Sequence, residues 1–174
     1  MRAIYILILL IAMPWAGARA QGCGPIHIHH AWLSLEVDPG VRYISGRCQL
    51  HFEVRDSAAA LPLDLSLAGD YIVSSICSNG LPLYYYRTQD HIRVYPRPEW
   101  GSRDSVTICY CGVPPVSGLG SVMFDEHGGV PVFWTLSEPF GAKDWWPCRQ
   151  CLGDKIDSLR LTVACPKEYR PAAN

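Results

Sequence analysis

The chain has 174 residues, the size of about one domain. Hydrophobic residues make up 49% and charged residues 18%, which supplies a packed core and excludes a disordered or fibrous chain. The net charge of −1 leaves no basic field to hold phosphate backbones, so nucleic acid is excluded as a partner class.

Arg2, an apolar run from Ile4 to Ala12 and the small-x-small triplet Ala18-Arg19-Ala20 read as a secretory signal peptide over residues 1–20, helical and cut after Ala20. The apolar run is too short to span a bilayer, and no membrane span is expected after signal removal. The mature domain is then residues 21–174, with 13 basic residues left of 15 once Arg2 and Arg19 are gone, against 16 acids. The expected location is periplasmic or extracellular. Ala20 stands where a lipoprotein signal needs an aliphatic residue, so Cys23 is a weak lipidation candidate. All eight cysteines lie in the mature region, where an oxidising compartment favours pairing.

Next come His27, His29 and His30. Alternate strand residues share a face, so His27 and His29 could offer two imidazoles to a metal. No third ligand follows at a telling spacing, and the preferred reading is a polar strand start. Leu33, Leu35 and Val37 alternate with polar residues, and Asp38-Pro39-Gly40 marks a turn. Cys48, Leu50, Phe52 and Val54 alternate with Arg47, Gln49, His51, Glu53 and Arg55, the pattern of a half-buried strand. Leu61, Leu63, Leu65 and Leu67 repeat every second residue. Asn79-Gly80 predicts a hairpin between Tyr71–Cys77 and Leu81–Tyr86. Val106, Ile108 and Tyr110 give another strand. Gly112 to Pro131, rich in glycine and proline, reads as a long loop. Within it Gly118-x-Gly120 lacks the lysine and helix of a phosphate loop, and Asp125, Glu126 and His127 read as solvated polar residues. A short helical turn is expected around Cys151 to Asp157, then a strand carrying Leu159, Leu161 and Val163. The fold class is all-β: an antiparallel sandwich or saddle-like open sheet with one long Gly/Pro-rich loop.

Cys148-x-x-Cys151 has the spacing of a disulfide or thiol pair, or of half a zinc site with Cys109-x-Cys111 as the other half. No βαβ context surrounds it, and the structural reading is preferred. No His-Glu-x-x-His and no nucleophile elbow occurs. No complete catalytic constellation and no metal site is expected in this chain.

The run PVFWTLSEPFGAKDWWPCRQCLGDKIDSLRLTVACPKEYRPAAN from Pro131 to Asn174 resembles the end of the N-terminal β-domain of the aminopeptidase N family of zinc metallopeptidases. Glu138 stands ten positions before Cys148, and Trp146-Pro147-Cys148 matches the family's aromatic-Pro-Cys. Asp154-Lys155, Asp157-Ser158, Pro166, Tyr169 and Ala173-Asn174 follow in the family's order. The front half agrees through His30-x-x-Leu33-x-Leu35-x-Val37-Asp38-Pro39, Ile44-x-Gly46, Leu63-Asp64-Leu65, Gly80-x-x-Leu83 and Gly112-x-Pro114. Ala142-Lys143 and Arg149-Gln150 depart from the common Ala-Arg and Phe-Asp, which resembles a bacterial branch.

The resemblance implies the N-terminal domain of an exported zinc aminopeptidase that covers a catalytic domain of the same polypeptide. Glu138 would bind the free amino terminus of a peptide substrate. The family's zinc and catalytic residues lie in the next domain, so this chain carries no catalytic residue and no cofactor, is inactive alone, and is incomplete at its C-terminal end. The competing class is a non-enzymatic extracellular β-sandwich binding module. A third is a thiol-redox or zinc domain built on Cys148 and Cys151.

Overall fold

The computed structural model describes residues 23–55, 62–95, 97, 101–115 and 120–173. The signal segment and its cleavage site lie outside these residues. Eleven strands follow in order: β1 (Ile26–Asp38), β2 (Tyr43–Val54), β3 (Leu63–Ser66), β4 (Tyr71–Ser78), β5 (Leu81–Pro82), β6 (Tyr85–Arg87), β7 (His91–Val94), β8 (Arg103–Gly112), β9 (Val122–His127), β10 (Val130–Thr135) and β11 (Ser158–Ala164). The one helical element among the described residues is a 3-10 turn at Gly141–Asp144. No described helix is long and apolar enough to cross a membrane.

The main sheet has six strands in the order β11-β1-β2-β8-β4-β5. A three-stranded sheet has the order β3-β7-β6, and β9 pairs with β10 alone. The expected all-β class holds. The alternation read along β2 is the alternation built: Ile44, Cys48, Leu50 and Phe52 are fully buried while Arg47 is exposed. They share one core with Leu33 and Leu35 of β1, Val106, Ile108 and Tyr110 of β8, and Leu63, Leu65, Ile92 and Val94 of the smaller sheet. Gly46 faces Tyr110 across β2 and β8. A side chain there would overlap the Tyr110 ring, which accounts for a glycine inside a strand. Asn79 and Gly80 both take positive φ, 49° and 77°, as a two-residue hairpin requires.

Three expectations change. β11 runs parallel to β1, so the main sheet is mixed rather than antiparallel. The helical turn expected near Cys151 is a plain turn, and the 3-10 turn sits earlier, at Gly141–Asp144. The expected long loop contains the β9–β10 hairpin, turned by Gly128 and Gly129 at φ 59° and 82°. Phe124 and Phe133 pair across it with ring centres 4.8 Å apart. Asp125, Glu126 and His127 are exposed on it, matching their reading as solvated residues.

Candidate functional site

β10 leads straight into the segment that carries Glu138. The Leu136 amide donates to the Ser121 carbonyl at 2.9 Å and ends the β9–β10 ladder. The chain then turns outward and returns through the 3-10 turn to Cys148, which bridges Ser66 of β3 by two backbone hydrogen bonds of 2.7 and 3.0 Å.

The return limb is buried from Asp144 to Cys148 and tied to the rest of the domain by hydrogen bonds. Tyr71 of β4 donates its hydroxyl to the Asp144 carbonyl, and Tyr110 of β8 donates to the Trp145 carbonyl, each at 2.7 Å. The two rings meet edge to face at 5.5 Å. Asp144 is 3% exposed and its side chain accepts from the Ser121 hydroxyl, which ties the limb to the foot of β9. Lys143 donates to Asp90 at 2.9 Å and lies 3.7 Å from Asp144. The partnership with Asp90 chiefly raises the Lys143 pKa and lowers that of Asp90. Gly141 lies so close to β9 that a Cβ would stand 2.6 Å from Ser121 Cβ and 2.7 Å from the Leu136 carbonyl.

The tip is held from both sides. Ser137 accepts from Trp145 Nε1 at its hydroxyl, 3.0 Å, and from the Gly141 amide at its carbonyl, 2.9 Å. Gln150 donates to the Phe140 carbonyl at 2.6 Å. Between these anchors Glu138 is exposed, joined to Pro139 by a cis peptide bond. Trp134, Leu136 and Phe140, its near neighbours along the chain, are 43%, 45% and 48% exposed. A carboxylate on a fixed, apolar rim can receive a cation that another surface brings to it.

Cys148 and Cys151 are not partners. The structure joins Cys151 to Cys23, Cα to Cα 5.9 Å, and puts Cys148 in the core as a thiol. Burial pushes the Cys148 thiol up to about 12, and burial likewise raises Cys48, whose thiol points at the Pro147 carbonyl at 3.8 Å. A redox cysteine needs a lowered pKa and access. Cys148 has neither, so the thiol-redox reading is overturned. The sulfur of Cys23, the lipidation candidate, is held in the disulfide.

Two residues that departed from the family pattern are anchors. Gln150 holds the tip, and Arg149 donates to the Ile26 carbonyl and to Asp154 at 2.9 Å. Burial lowers the Arg149 pKa. His27 belongs to the same cluster, with Nδ1 on Asp154 and Nε2 on Asp157. As they stand, no three His, Cys, Asp or Glu side chains among the described residues are gathered to hold a metal.

Sequence reasoning missed Asp144, Tyr71 and Tyr110 as the cradle of this segment. The only available signal was an aspartate inside an aromatic cluster, where a buried carboxylate must find partners.

No family model and no curated protein matches the chain. Solved structures do. An M1 zinc metallopeptidase from Deinococcus radiodurans superposes with a TM-score of 0.63 at 26% identity, over 80% of this chain and 33% of that one. A variant of that enzyme bound to a Tyr-Ser-Ala substrate superposes with a TM-score of 0.62. Native yeast leukotriene A4 hydrolase gives 0.64 at 16% identity, over 82% of this chain and 23% of that one. This is the fold of the N-terminal β-domain of M1 metallopeptidases. The chain spans about a third of the length of the Deinococcus enzyme.

Proposed function

We propose that this domain is the N-terminal part of an exported zinc aminopeptidase. It covers the catalytic domain and presents Glu138 to the free α-amino group of a peptide substrate. The observation that carries the reading is the exposed Glu138 carboxylate between the anchored residues Ser137 and Phe140. A carboxylate meeting an ammonium in a closed cleft makes a charge-assisted hydrogen bond. A blocked amino terminus leaves that carboxylate unpaired, so the arrangement selects for free peptides. The exposed side chains of Trp134, Leu136 and Phe140 supply apolar surface for a covering domain. The Cys23–Cys151 disulfide suits an oxidising compartment and so supports export, while cleavage after Ala20 rests on the small-x-small triplet.

The family's zinc does not fit this chain's own residues. The sequence holds no His-Glu-x-x-His, and no described trio of donors is assembled as it stands. Peptide hydrolysis is assigned to the catalytic domain, and the role of these residues is to bind and orient.

The test uses the polypeptide in which this domain accompanies its catalytic domain. Glu138→Ala is assayed on aminoacyl substrates with free and with acetylated amino termini. A larger loss on the free substrates supports the reading. Equal losses on both overturn the role of Glu138.

A further inference from the structure

Near its start, β1 carries a β-bulge. Its register on β2 slips between Ile28 and His30, leaving His29 as the extra residue. Bulges re-aim side chains. Here the bulge sets two consecutive histidines beside His51 of β2, with His30 directly opposite it. The ring centres lie 6.3 Å apart for His29 and His51, and 6.0 Å apart for His30 and His51. Trp32 packs on the same group, 5.2 Å from His51 and edge-on to His30 at 5.6 Å.

The Ser158 hydroxyl of β11 lies 2.5 Å from His30 Nδ1 and 3.3 Å from the His29 carbonyl. In the tautomer with the proton on His30 Nδ1, Ser158 accepts from His30 and donates to the His29 carbonyl, and His30 Nε2 keeps a bare lone pair, the orientation a hydroxyl or carboxylate imposes behind a metal-ligating imidazole. His51 Nε2 is buried without a hydrogen-bond partner.

We propose that His29, His30 and His51 form a surface site for a borderline divalent cation of the Zn2+ class. Two imidazoles sharing one tetrahedral Zn2+ at ~2.0–2.1 Å from each nitrogen place their ring centres about 5 Å apart. The observed separations are wider by about 1 Å, which side-chain rotation closes. An open groove of about 470 Å³, lined by His29, His51, Asn79, Arg103, Asp104 and Ser105, admits the ion and leaves room for a water ligand. Arg103 at its rim is drawn toward Glu53, at 3.5 Å. The site is independent of the proposed peptidase role.

The test is a Zn2+ titration by calorimetry, with Co2+ absorbance as a second probe. It uses the full chain without an affinity tag, its accessible thiols blocked with iodoacetamide. One cation per chain is expected near neutral pH, with weaker binding at pH 5.5 as protons compete. His51→Gln and His29→Ala should each weaken binding at least tenfold. His127→Ala, on the exposed β9–β10 hairpin, should leave it unchanged. His29 sits on a partly exposed bulge, so its truncation tests the site without a core change, and circular dichroism checks the fold of each variant. Absence of saturable binding overturns the proposal, as does binding that survives both His51→Gln and His29→Ala.

Discussion

The two limbs of the Leu136–Cys148 segment differ in everything but sequence proximity. From Gly141 to Cys148 the chain is inserted beside the main sheet, its Asp144 and Trp145 carbonyls capped by Tyr71 and Tyr110 and its Asp144 side chain buried. From Leu136 to Phe140 it is half or fully exposed and displays apolar side chains with one carboxylate. The buried limb spends its polar groups on the domain, and the exposed limb keeps Glu138 clear of them. A rigid display needs both, because a carboxylate positions a ligand only as well as its own backbone is positioned.

The comparison breaks most severely at Asp144. Removing its side chain takes the carboxylate acceptor from the Ser121 hydroxyl and leaves Lys143 with Asp90 alone as its acidic partner. Asp144→Ala should cost about 3 kcal/mol of stability, the scale of a buried ionic partner lost. Urea denaturation of the domain measures it. A loss under about 1 kcal/mol, the scale of a surface ion pair, would show the limb to be held by packing and its backbone hydrogen bonds without help from the Asp144 carboxylate.

Glu138→Ala should do the reverse. In the enzyme that carries this domain it should lower kcat/KM by about 1.5–3 kcal/mol, the scale of a charged hydrogen bond, and leave stability unchanged. Glu138→Gln should cost less, because an amide oxygen still accepts. A double cycle with free and acetylated substrates isolates the ammonium contact from general effects. Stability loss in Glu138→Ala would erase the distinction between the limbs.

Tyr110→Phe probes the junction. It removes one hydroxyl donor and leaves the Trp145 carbonyl short of its partner in the core. The expected cost is about 1–2 kcal/mol, seen as a shift in the denaturation midpoint at constant slope.

The buried limb and the exposed tip were also unequally legible in the sequence. β1 and β2 were readable because one face of each is buried, so every second residue is apolar. The Asn79-Gly80 hairpin was readable because only certain residues tolerate positive φ. The β9–β10 hairpin was not, since its strands pair only with each other and carry no strict alternation; Gly128-Gly129 was its one local signal. β11 was seen as a strand, but its parallel pairing with β1 joins residues more than a hundred positions apart, which no local pattern records. Cys151 had a nearer apparent partner in Cys148, and only the return of the N-terminal strand brings Cys23 to it. Glu138 came from the order of motifs, whereas its anchors Ser137, Trp145 and Gln150 depend on the three-dimensional path of the loop.

The smallest effect lies at the N-terminal edge, where His27 joins β1 to the turn before β11. Nδ1 faces Asp154 and Nε2 faces Asp157, so both ring nitrogens meet carboxylates. A neutral imidazole has one N–H and can satisfy only one of them; the imidazolium satisfies both. The bond to Asp157 is the largest cause of a His27 pKa raised above its ordinary 6.5, with burial opposing and Asp154 adding to it. A histidine whose native pKa is raised stabilises the fold fully below its unfolded value, and that contribution is lost as pH rises through the native pKa. The domain should therefore gain stability as pH falls from the native His27 pKa to about 6.5, its unfolded value. Asp157 is 61% exposed at its side chain, so solvent screening holds the gain to about 0.5–1 kcal/mol. Asp157→Asn should reduce the slope and His27→Gln should abolish it, read as denaturation midpoints across that pH window. A His27→Gln variant with the unaltered pH slope would mean that another group carries it.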